Sequence, residues 1–251
     1  MPWCAPTGAR GKHSSSRASV VREQQLIVVE SANLADSAAQ RIVAIVDQII
    51  ATQARANIAL AGGSTPRAVY RRWAEMDRTD WNRIEFFFGD ERCVAPDDPE
   101  SNYRMARESL FDLVPISAQQ VHRMPAERRD RAAAAMEYGA QLPSRLDLII
   151  LGIGEDGHTA SLFPGSPAFN EREHKVVAVT APKAPHERLT VTPSVILAAS
   201  RTLILAAGSA KAKAVAQALE SSSQVLDCPA QLARKGLWIM DRAAASGLRH
   251  T

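Results

Sequence analysis

The residues best suited to chemistry lie in one stretch, Leu148 to Pro167, which reads LIILGIGEDGHTASLFPGSP. His158 is the candidate general base, because a neutral imidazole can take a proton from water near neutral pH. Asp156, two residues earlier, could orient the ring or stabilise its charged form. The alternative is that Asp156 caps the turn and His158 is a packed loop histidine. Taken alone, the Asp-Gly-His sequence leaves both interpretations open.

Three glycines before the histidine match the G-x-G-x-x-G pattern of dinucleotide-binding turns: Gly152, Gly154 and Gly157. A dinucleotide site also needs a long helix that starts at the third glycine and an acidic residue about 20 positions later. Here Pro164 leaves no room for that helix, and Asp156 would place a carboxylate beside the pyrophosphate. The glycines therefore predict a sharp turn at a strand end, in which Gly154 lets a ligand approach the backbone.

Two further loops combine glycine, hydroxyl side chains and a helix start, a combination that binds anions well. In AGGSTP the candidates are Gly63, Ser64 and Thr65, and the loop lacks the Gly-Lys-Ser/Thr of a nucleotide-binding P-loop. In AGSAK, Lys211 falls in the first helical turn, where a cation opposes the helix dipole and a bound anion would offset it. An ordinary helix cap and a solvated lysine are the alternative interpretations.

Two arginines lie at predicted strand ends. GDER places Asp90 and Arg92 at the end of one strand, and PKAPHERLT places Arg188 at the start of another. An arginine there can bind phosphate or carboxylate, whereas a salt bridge between Arg92 and its acidic neighbours is the alternative. Asp90, Arg92 and Arg188 are therefore candidate substrate-binding residues. No G-x-S-x-G motif is present and Cys93 has no evident partner, so neither a serine nor a cysteine nucleophile is predicted.

The composition is that of a globular protein. The 251 residues are 46% hydrophobic and 23% charged, which is enough to bury a core. A net charge of +3 and few aromatic residues give no sign of nucleic-acid binding, and no apolar stretch suits a membrane span. The three cysteines are far apart and lack metal-ligand spacing, which favours a reducing cytoplasmic setting and no structural zinc.

Strand-like and helix-like segments alternate after residue 24. Apolar runs predict strands at 25–30, 57–63, 83–92, 121–125, 146–154, 175–182, 188–193, 202–208 and 236–241. Apolar periodicity and capping residues predict helices at 33–54, 66–77, 101–114, 127–141, 194–200 and 209–220.

This alternation predicts a single-domain α/β fold over residues 25–251, with a doubly wound, mostly parallel sheet and helices on both faces. Residues 1–24 are rich in Gly, Ser, Pro and Arg and are predicted to be a flexible extension. In such sheets ligands bind outside the carboxyl ends of the strands, where the candidate loops fall.

Together these loops resemble the 6-phosphogluconolactonase family. The matching stretches are LAGGSTPRAVY, FFFGDERCVAPDDPESNYRMA, LDLIILGIGEDGHTASLFPGSP, KAPHERLTVTPSVILAAS and LILAAGSAKAKAV, within residues 25–246. The resemblance implies hydrolysis of 6-phospho-D-glucono-1,5-lactone in the oxidative pentose phosphate pathway, without a metal ion or an organic cofactor. It also implies that His158 activates water beside Asp156, and that the sugar phosphate is held by Gly63, Ser64, Thr65, Arg92, Arg188 and Lys211.

Two alternatives share this fold. Glucosamine-6-phosphate deaminases carry stretches similar to GGSTP and DGH. Their pattern, however, has D-E-Y where this chain has Asp90-Glu91-Arg92, and N-E-P after D-G-H where this chain has TASLFPG. Ring opening and isomerisation need the additional carboxylate that is missing here. A non-catalytic sugar-phosphate sensor would need a DNA-binding module, which residues 1–24 cannot form. The expected protein is a cytoplasmic hydrolase, expected to be a monomer, whose partner is a small phosphorylated lactone and neither nucleic acid nor a membrane.

Overall fold

Alternating strands and helices make up residues 25–76 and 78–249, the part of the chain that the computed structural model describes. The strands are β1 (Gln25–Val29), β2 (Ala56–Leu60), β3 (Ile84–Phe88), β4 (Asp90–Arg92), β5 (Leu148–Gly152), β6 (Val176–Thr180), β7 (Glu187–Val191), β8 (Thr202–Ala206) and β9 (Leu237–Asp241). The α-helices are α1 (Leu34–Ile50), α2 (Ser64–Ala74), α3 (Asn102–Ser109), α4 (Arg131–Gln141), α5 (Pro193–Ala198), α6 (Ala212–Glu220) and α7 (Arg242–Ala245). The extension predicted at 1–24 lies outside the described residues.

Six strands form a parallel sheet in the order β1-β9-β8-β5-β2-β3. The chain passes from β1 through α1 to β2 and through α2 to β3 in one direction, then from β5 to β8 and through α6 to β9 in the other. Crossovers between parallel strands are right-handed, so helices that connect strands in opposite directions along the sheet lie on opposite faces. α1 and α2 therefore cover one face, and α6 covers the other. The predicted doubly wound, mostly parallel sheet is confirmed.

The remaining three strands form a small antiparallel sheet in the order β4-β7-β6. One strand was predicted over 83–92, but the chain changes sheets at Gly89, so that β3 joins the large sheet and β4 pairs with β7. Gly89 N–H donates to Leu60 O, and Gly89 O accepts from Val191 N–H, each at 2.9 Å. This glycine therefore ties the small sheet to the carboxyl edge of the large one.

Burial on both faces explains why the strands of the large sheet are so apolar. β5 reads LIILG and β9 reads LWIMD, and nearly every residue in both is buried. On α1 the apolar residues recur at helical spacing, and the stripe formed by Leu34, Ile42, Val46 and Ile49 is buried against the sheet. The hydrophobic effect thus fixes which side of each element faces inward, and leaves the loops at the strand ends for polar residues.

Two local predictions were wrong. Residues 121–125 are not a strand, because Val121 forms a single bridge to Phe86 and the chain then continues without regular structure towards a proline. The helix predicted at 66–77 begins two residues earlier, at Ser64, with Gly63 as its N-cap and no side-chain cap. A left-handed glycine at the cap turns the chain straight from the strand into the helix.

Candidate functional site

Three of the loops selected from the sequence meet at the carboxyl edge of the large sheet. They follow β2, β5 and β8, which are neighbours at the centre of that sheet. From β2 the chain continues towards β3, and from β5 towards β8, so the two connections leave in opposite directions. A crevice forms at such a switch point, and it is where open α/β sheets bind ligands.

The histidine loop (residues 153–166) follows β5 and holds His158 against Asp156. His158 Nδ1 lies 2.6 Å from Asp156 Oδ1, and the same oxygen accepts the His158 backbone N–H at 3.1 Å. The imidazole also packs on Phe163, with ring centroids 4.7 Å apart. A carboxylate accepts from a protonated Nδ1, which leaves the lone pair on Nε2. The pair can therefore act as a general base with a fixed tautomer and ring orientation.

Asp156 is ionised in this pair. Partial burial would raise the pKa of its carboxyl group, but the hydrogen bonds and the charge of His158 outweigh that effect and lower the pKa to about 2. The Asp156 side chain is 44% exposed and that of His158 is 33% exposed, so water can reach the imidazole. A solvent-accessible base beside a permanent negative charge suits a hydrolytic reaction.

Two glycines make room for the imidazole. A Cβ on Gly154 would lie 2.0 Å from His158 Nδ1 and 2.5 Å from Asp156 Oδ1. Gly157 has a φ of +83°, and a Cβ there would meet Cys228 Sγ at 2.8 Å. The close approach expected at Gly154 is thus made by the protein's own histidine. These glycines of the apparent dinucleotide pattern shape the histidine loop.

The loop after β8 brings Lys211 to the same edge. Lys211 lies in a 3₁₀ turn that precedes α6, and its Nζ is 3.9 Å from Glu155 Oε1 in the histidine loop. Asp241, at the end of β9, anchors this loop by accepting the Gly208 N–H at 3.0 and 3.1 Å. Glu155 is largely exposed, and exposed ion pairs are weak, so an incoming anion can replace it at Lys211.

The glycine turn (residues 61–63) leads from β2 into α2. Gly63 has a φ of +109°, Ser64 is exposed and Thr65 is half-buried. The first N–H groups of a helix have no partner within the helix, so the start of α2 offers donors to an anion. Within residues 25–76 and 78–249, no hydrogen bond joins Ser64 or Thr65 to the other candidate residues.

Asp90 is buried, and most of its oxygen atoms already accept hydrogen bonds. Its Oδ2 accepts from Ser161 Oγ at 2.6 Å, and its carbonyl oxygen accepts from Asn102 Nδ2 at 2.9 Å. The same amide nitrogen is 3.4 Å from Oδ1, which keeps lone pairs for a further donor. Neither Ser161 nor Asn102 was predicted as a site residue. Both lie within stretches that resemble the family, in TAS and in SNY, and a small polar residue there was the signal that could have indicated them.

Glu91 holds the start of α3 in place. Its carboxylate accepts the N–H groups of Asn102 at 2.7 Å and Tyr103 at 2.8 Å, and the Ser101 hydroxyl at 3.1 Å. Burial raises the pKa of Glu91, and the N–H donors oppose that rise. The carboxylate thus caps α3 from a distant strand and fixes where Asn102 stands.

Arg92 and Arg188 occupy directly opposed positions on β4 and β7. Arg92 lies 3.6 Å from the Glu100 carboxylate, and Arg188 Nε donates to Pro185 O at 3.0 Å. Burial lowers the pKa of Arg188; the charge of Asp90 opposes this effect, and the charge of Arg92 adds to it. Like charges at opposed positions on a sheet repel each other, so an anion bound between the two arginines would be stabilising.

A cleft of about 590 Å³ lies beside this array, and Arg188 is the one predicted site residue that lines it. Phe163, which touches the His158 ring, and Arg188 both line it, together with Arg131 and the edge of β6. Its size is that of small-molecule sites in general. Among the described residues, no group of three His, Cys, Asp or Glu side chains is arranged to hold a metal ion.

The sequence matches a family model described as glucosamine-6-phosphate isomerases/6-phosphogluconolactonase over residues 29–240. The chain belongs to this family. Two relatives named 6-phosphogluconolactonase, from Nostoc sp. and Streptomyces coelicolor, are 34% and 36% identical to it. The first alignment covers 91% of this chain and 97% of the Nostoc protein, and the second covers 89% and 94%.

Solved structures share the fold. A 6-phosphogluconolactonase from Trypanosoma cruzi has a TM-score of 0.79 at 29% identity, and the match covers 90% of this chain and 97% of that one. A monomeric glucosamine-6-phosphate deaminase has the same TM-score, 0.79, at 23% identity, covering 89% and 99%, which shows the common fold alone. In the described residues no helix is both long enough and apolar enough to cross a membrane.

Proposed function

We propose that this protein hydrolyses 6-phospho-D-glucono-1,5-lactone to 6-phospho-D-gluconate, with a water molecule activated by His158. The observation that carries the proposal is the 2.6 Å contact between His158 Nδ1 and Asp156 Oδ1 at the switch point of the sheet, in a chain of this family. The relatives from Nostoc and Streptomyces named 6-phosphogluconolactonase support the choice of substrate.

One base and one positioned water suffice for this reaction, because a lactone is an activated ester. Nε2 of His158 takes a proton from water while the water oxygen bonds to C1 of the lactone. The bond between C1 and the ring oxygen then breaks, and the imidazolium returns the proton to that oxygen. Asp156 orients the imidazole and stabilises its transient positive charge. The product is the open-chain acid, which loses its own proton to solvent.

Attack at C1 also develops negative charge on the carbonyl oxygen. A nearby cation or backbone N–H groups stabilise such an oxyanion more than the neutral ground state, and this difference accelerates the reaction. The backbone N–H groups of the histidine loop are the candidate donors. Lys211, whose present partner is the exposed Glu155, is instead a candidate cation for the anionic group of the bound substrate. Gly154, which was predicted to admit a ligand to the backbone, instead leaves room for the His158 ring.

The phosphate group would be held at the other end of the crevice. Arg92 and Arg188 supply two cations on one sheet face, and the start of α2, with Gly63, Ser64 and Thr65, supplies backbone donors. Binding energy from this remote group orients the lactone over His158. Asp90 Oδ1 is the candidate acceptor for a sugar hydroxyl, because its hydrogen-bonding capacity is incompletely used.

The deaminase alternative is disfavoured by the chemistry of the histidine loop. Isomerisation coupled to ammonia release needs further proton-transfer groups, and no acidic residue occurs between His158 and Gly165. A sensor that binds sugar phosphate without reaction would need no base paired with a carboxylate. A cytoplasmic setting belongs to the same proposal and rests on the cysteine usage. A monomeric state is proposed with it.

The test is proton release from freshly prepared 6-phosphogluconolactone, measured above its spontaneous hydrolysis. His158→Ala should lower kcat by roughly 10²–10⁴-fold, which is the usual contribution of a general base. The control is His174→Ala, because His174 is exposed and also pairs with a carboxylate, Glu171, at 3.4 Å. Near-wild-type turnover in His158→Ala would overturn the mechanism. Ammonia release from glucosamine 6-phosphate by the wild-type protein would overturn the substrate assignment.

A further inference from the structure

A single buried residue, Asp90, joins two of the candidate loops through its carboxylate and its backbone carbonyl oxygen. Ser161 belongs to the histidine loop and donates to Asp90 Oδ2 at 2.6 Å. Asn102 lies beside the glycine turn and donates to the Asp90 carbonyl oxygen at 2.9 Å. Ser161 is 0% exposed, Asn102 2% and Asp90 6%, so all three residues are buried and Asp90 keeps the largest exposure. Buried polar groups of this kind fix one arrangement of the elements that carry them.

Ser161 anchors the turn that follows His158. Its N–H donates to Thr190 Oγ1 on β7 at 3.2 Å, and Thr159 Oγ1 donates to Gly152 O at the end of β5 at 2.8 Å. Ala160, between them, has a φ of +48°, a left-handed conformation that residues with a side chain seldom adopt. Such backbone persists only where the surroundings determine it, so the anchors at both ends set the path of the chain beside the base.

Asn102 positions the glycine turn by direct contact. A Cβ added to Gly62 would lie 1.8 Å from Asn102 Oδ1, so the amide occupies the space directly above that residue. Asn102 cannot move freely, because its own N–H is held by the Glu91 carboxylate at 2.7 Å. The glycine turn therefore rests on a side chain whose position is set from β4.

We propose that Ser161 and Asn102 are positioning residues, which hold the histidine loop and the glycine turn in register through Asp90. The proposal rests on the function proposed above. Ser161 fixes where His158 stands, and Asn102 fixes where the anion-binding turn stands. Because Asp90 accepts from both, the distance between the base and the bound phosphate depends on one residue. Displacement of a reacting group by about 1 Å can lower a rate by up to about 10²-fold.

A purely structural network would affect stability and leave the kinetics of the folded enzyme unchanged, so the test compares two buried serines. Ser109 is 2% exposed and donates to Met105 O at 2.6 Å within α3, away from both loops. Below the melting transition, Ser161→Ala should lower kcat about tenfold with little change in KM, whereas Ser109→Ala should leave both constants unchanged. Equal kinetics in the two variants, with lower stability in both, would overturn the proposal.

Asn102→Ala should mainly raise KM, again about tenfold, because it releases the turn that binds the anion. If both residues act through Asp90, the Ser161→Ala/Asn102→Ala double variant should lose less in kcat/KM than the product of the single losses. A double variant whose loss in kcat/KM equals the product of the two single losses would contradict the coupling. Should Ser161→Ala fail to fold, Ser161→Cys keeps the size and weakens the donor, and the same drop in kcat is expected.

The failure of this inference and the failure of the proposed function are distinguishable. A wild-type protein that does not accelerate lactone hydrolysis removes the function and leaves no kcat to compare. An active wild-type protein whose Ser161 and Ser109 variants match each other removes only the positioning role.

Discussion

Asp156→Asn is the sharpest probe of the proposed base, because it keeps the shape of the side chain and removes its charge. In the native protein Asp156 Oδ1 accepts from both Nδ1 and the backbone N–H of His158. The asparagine can still accept through its oxygen, or it can turn its NH₂ group towards the ring. The second orientation would favour the tautomer with the proton on Nε2, which cannot take a proton from water.

The expected size of the effect follows from the depressed pKa of Asp156. A fall from 3.8 to about 2 corresponds to roughly 2.5 kcal/mol of interaction in the ionised state. The side chain is 44% exposed, so solvent screening reduces the usable part to about 1 kcal/mol. Lost stabilisation of the imidazolium accounts for about a fivefold fall in kcat, and loss of the correct tautomer extends it to about 10- to 100-fold.

The ionisation of Asp156 also determines how the pair depends on pH. A lowered pKa means that the ionised Asp156 contributes stability above its ordinary value of 3.8, and that this contribution disappears as the pH falls through about 2. Between pH 5 and 9 the Asp156 carboxylate therefore stays ionised in the wild-type protein.

The assay is proton release from the lactone over that pH range, at saturating and at low substrate. The control is Glu155→Gln, which removes the neighbouring carboxylate, contacts Lys211 rather than His158, and should keep kcat within about twofold. Equal kcat in Asp156→Asn and Glu155→Gln at every pH would refute the role of Asp156.

Two further predictions concern the loop backbone and the cations. Gly154→Ala should abolish most activity, because its Cβ would lie 2.0 Å from His158 Nδ1. Gly152→Ala is the control and should stay active, because its Cβ would meet nothing within 4 Å. Similar turnover in the two variants would contradict the described packing of the histidine loop. Arg188→Ala and Lys211→Ala should each raise KM about tenfold more than they lower kcat, consistent with the loss of a charge-assisted contact to the substrate. An unchanged KM in steady-state kinetics removes either residue from the anion site.

Much of the fold follows from local pattern. The strands of the large sheet are short apolar runs that end in polar loops, and α1 has a clear buried stripe, so their existence could be read from spacing. Asp156 and His158 are two residues apart, and their pairing needs no knowledge of the fold. The position of their loop at the carboxyl edge followed from the rule for open α/β sheets.

Contacts between distant residues could not be predicted in this way. Nothing local in RIEFFFGDER marks Gly89 as the point where the chain changes sheets, since that depends on Leu60 and Val191. Ser161 and Asp90 are 71 positions apart, and each has ordinary neighbours in the sequence. Their pairing is decided by how β4 packs beside the histidine loop. Residue type alone therefore marked Asp90 as a candidate ligand and did not reveal the donor buried against it.

The position of β9 has a consequence for the order in which the protein forms. β9 is the last described strand to be synthesised, yet it lies between β1 and β8 in the sheet. The hydrogen bond from Ser31 Oγ to Asp241 Oδ2 spans 210 positions, and Asp241 also anchors the Lys211 loop. A chain still emerging from the ribosome therefore has β1 without its partner in the large sheet and the Lys211 loop without its anchor. Turnover should begin only once residue 241 has joined the sheet, so partly made chains contribute no activity.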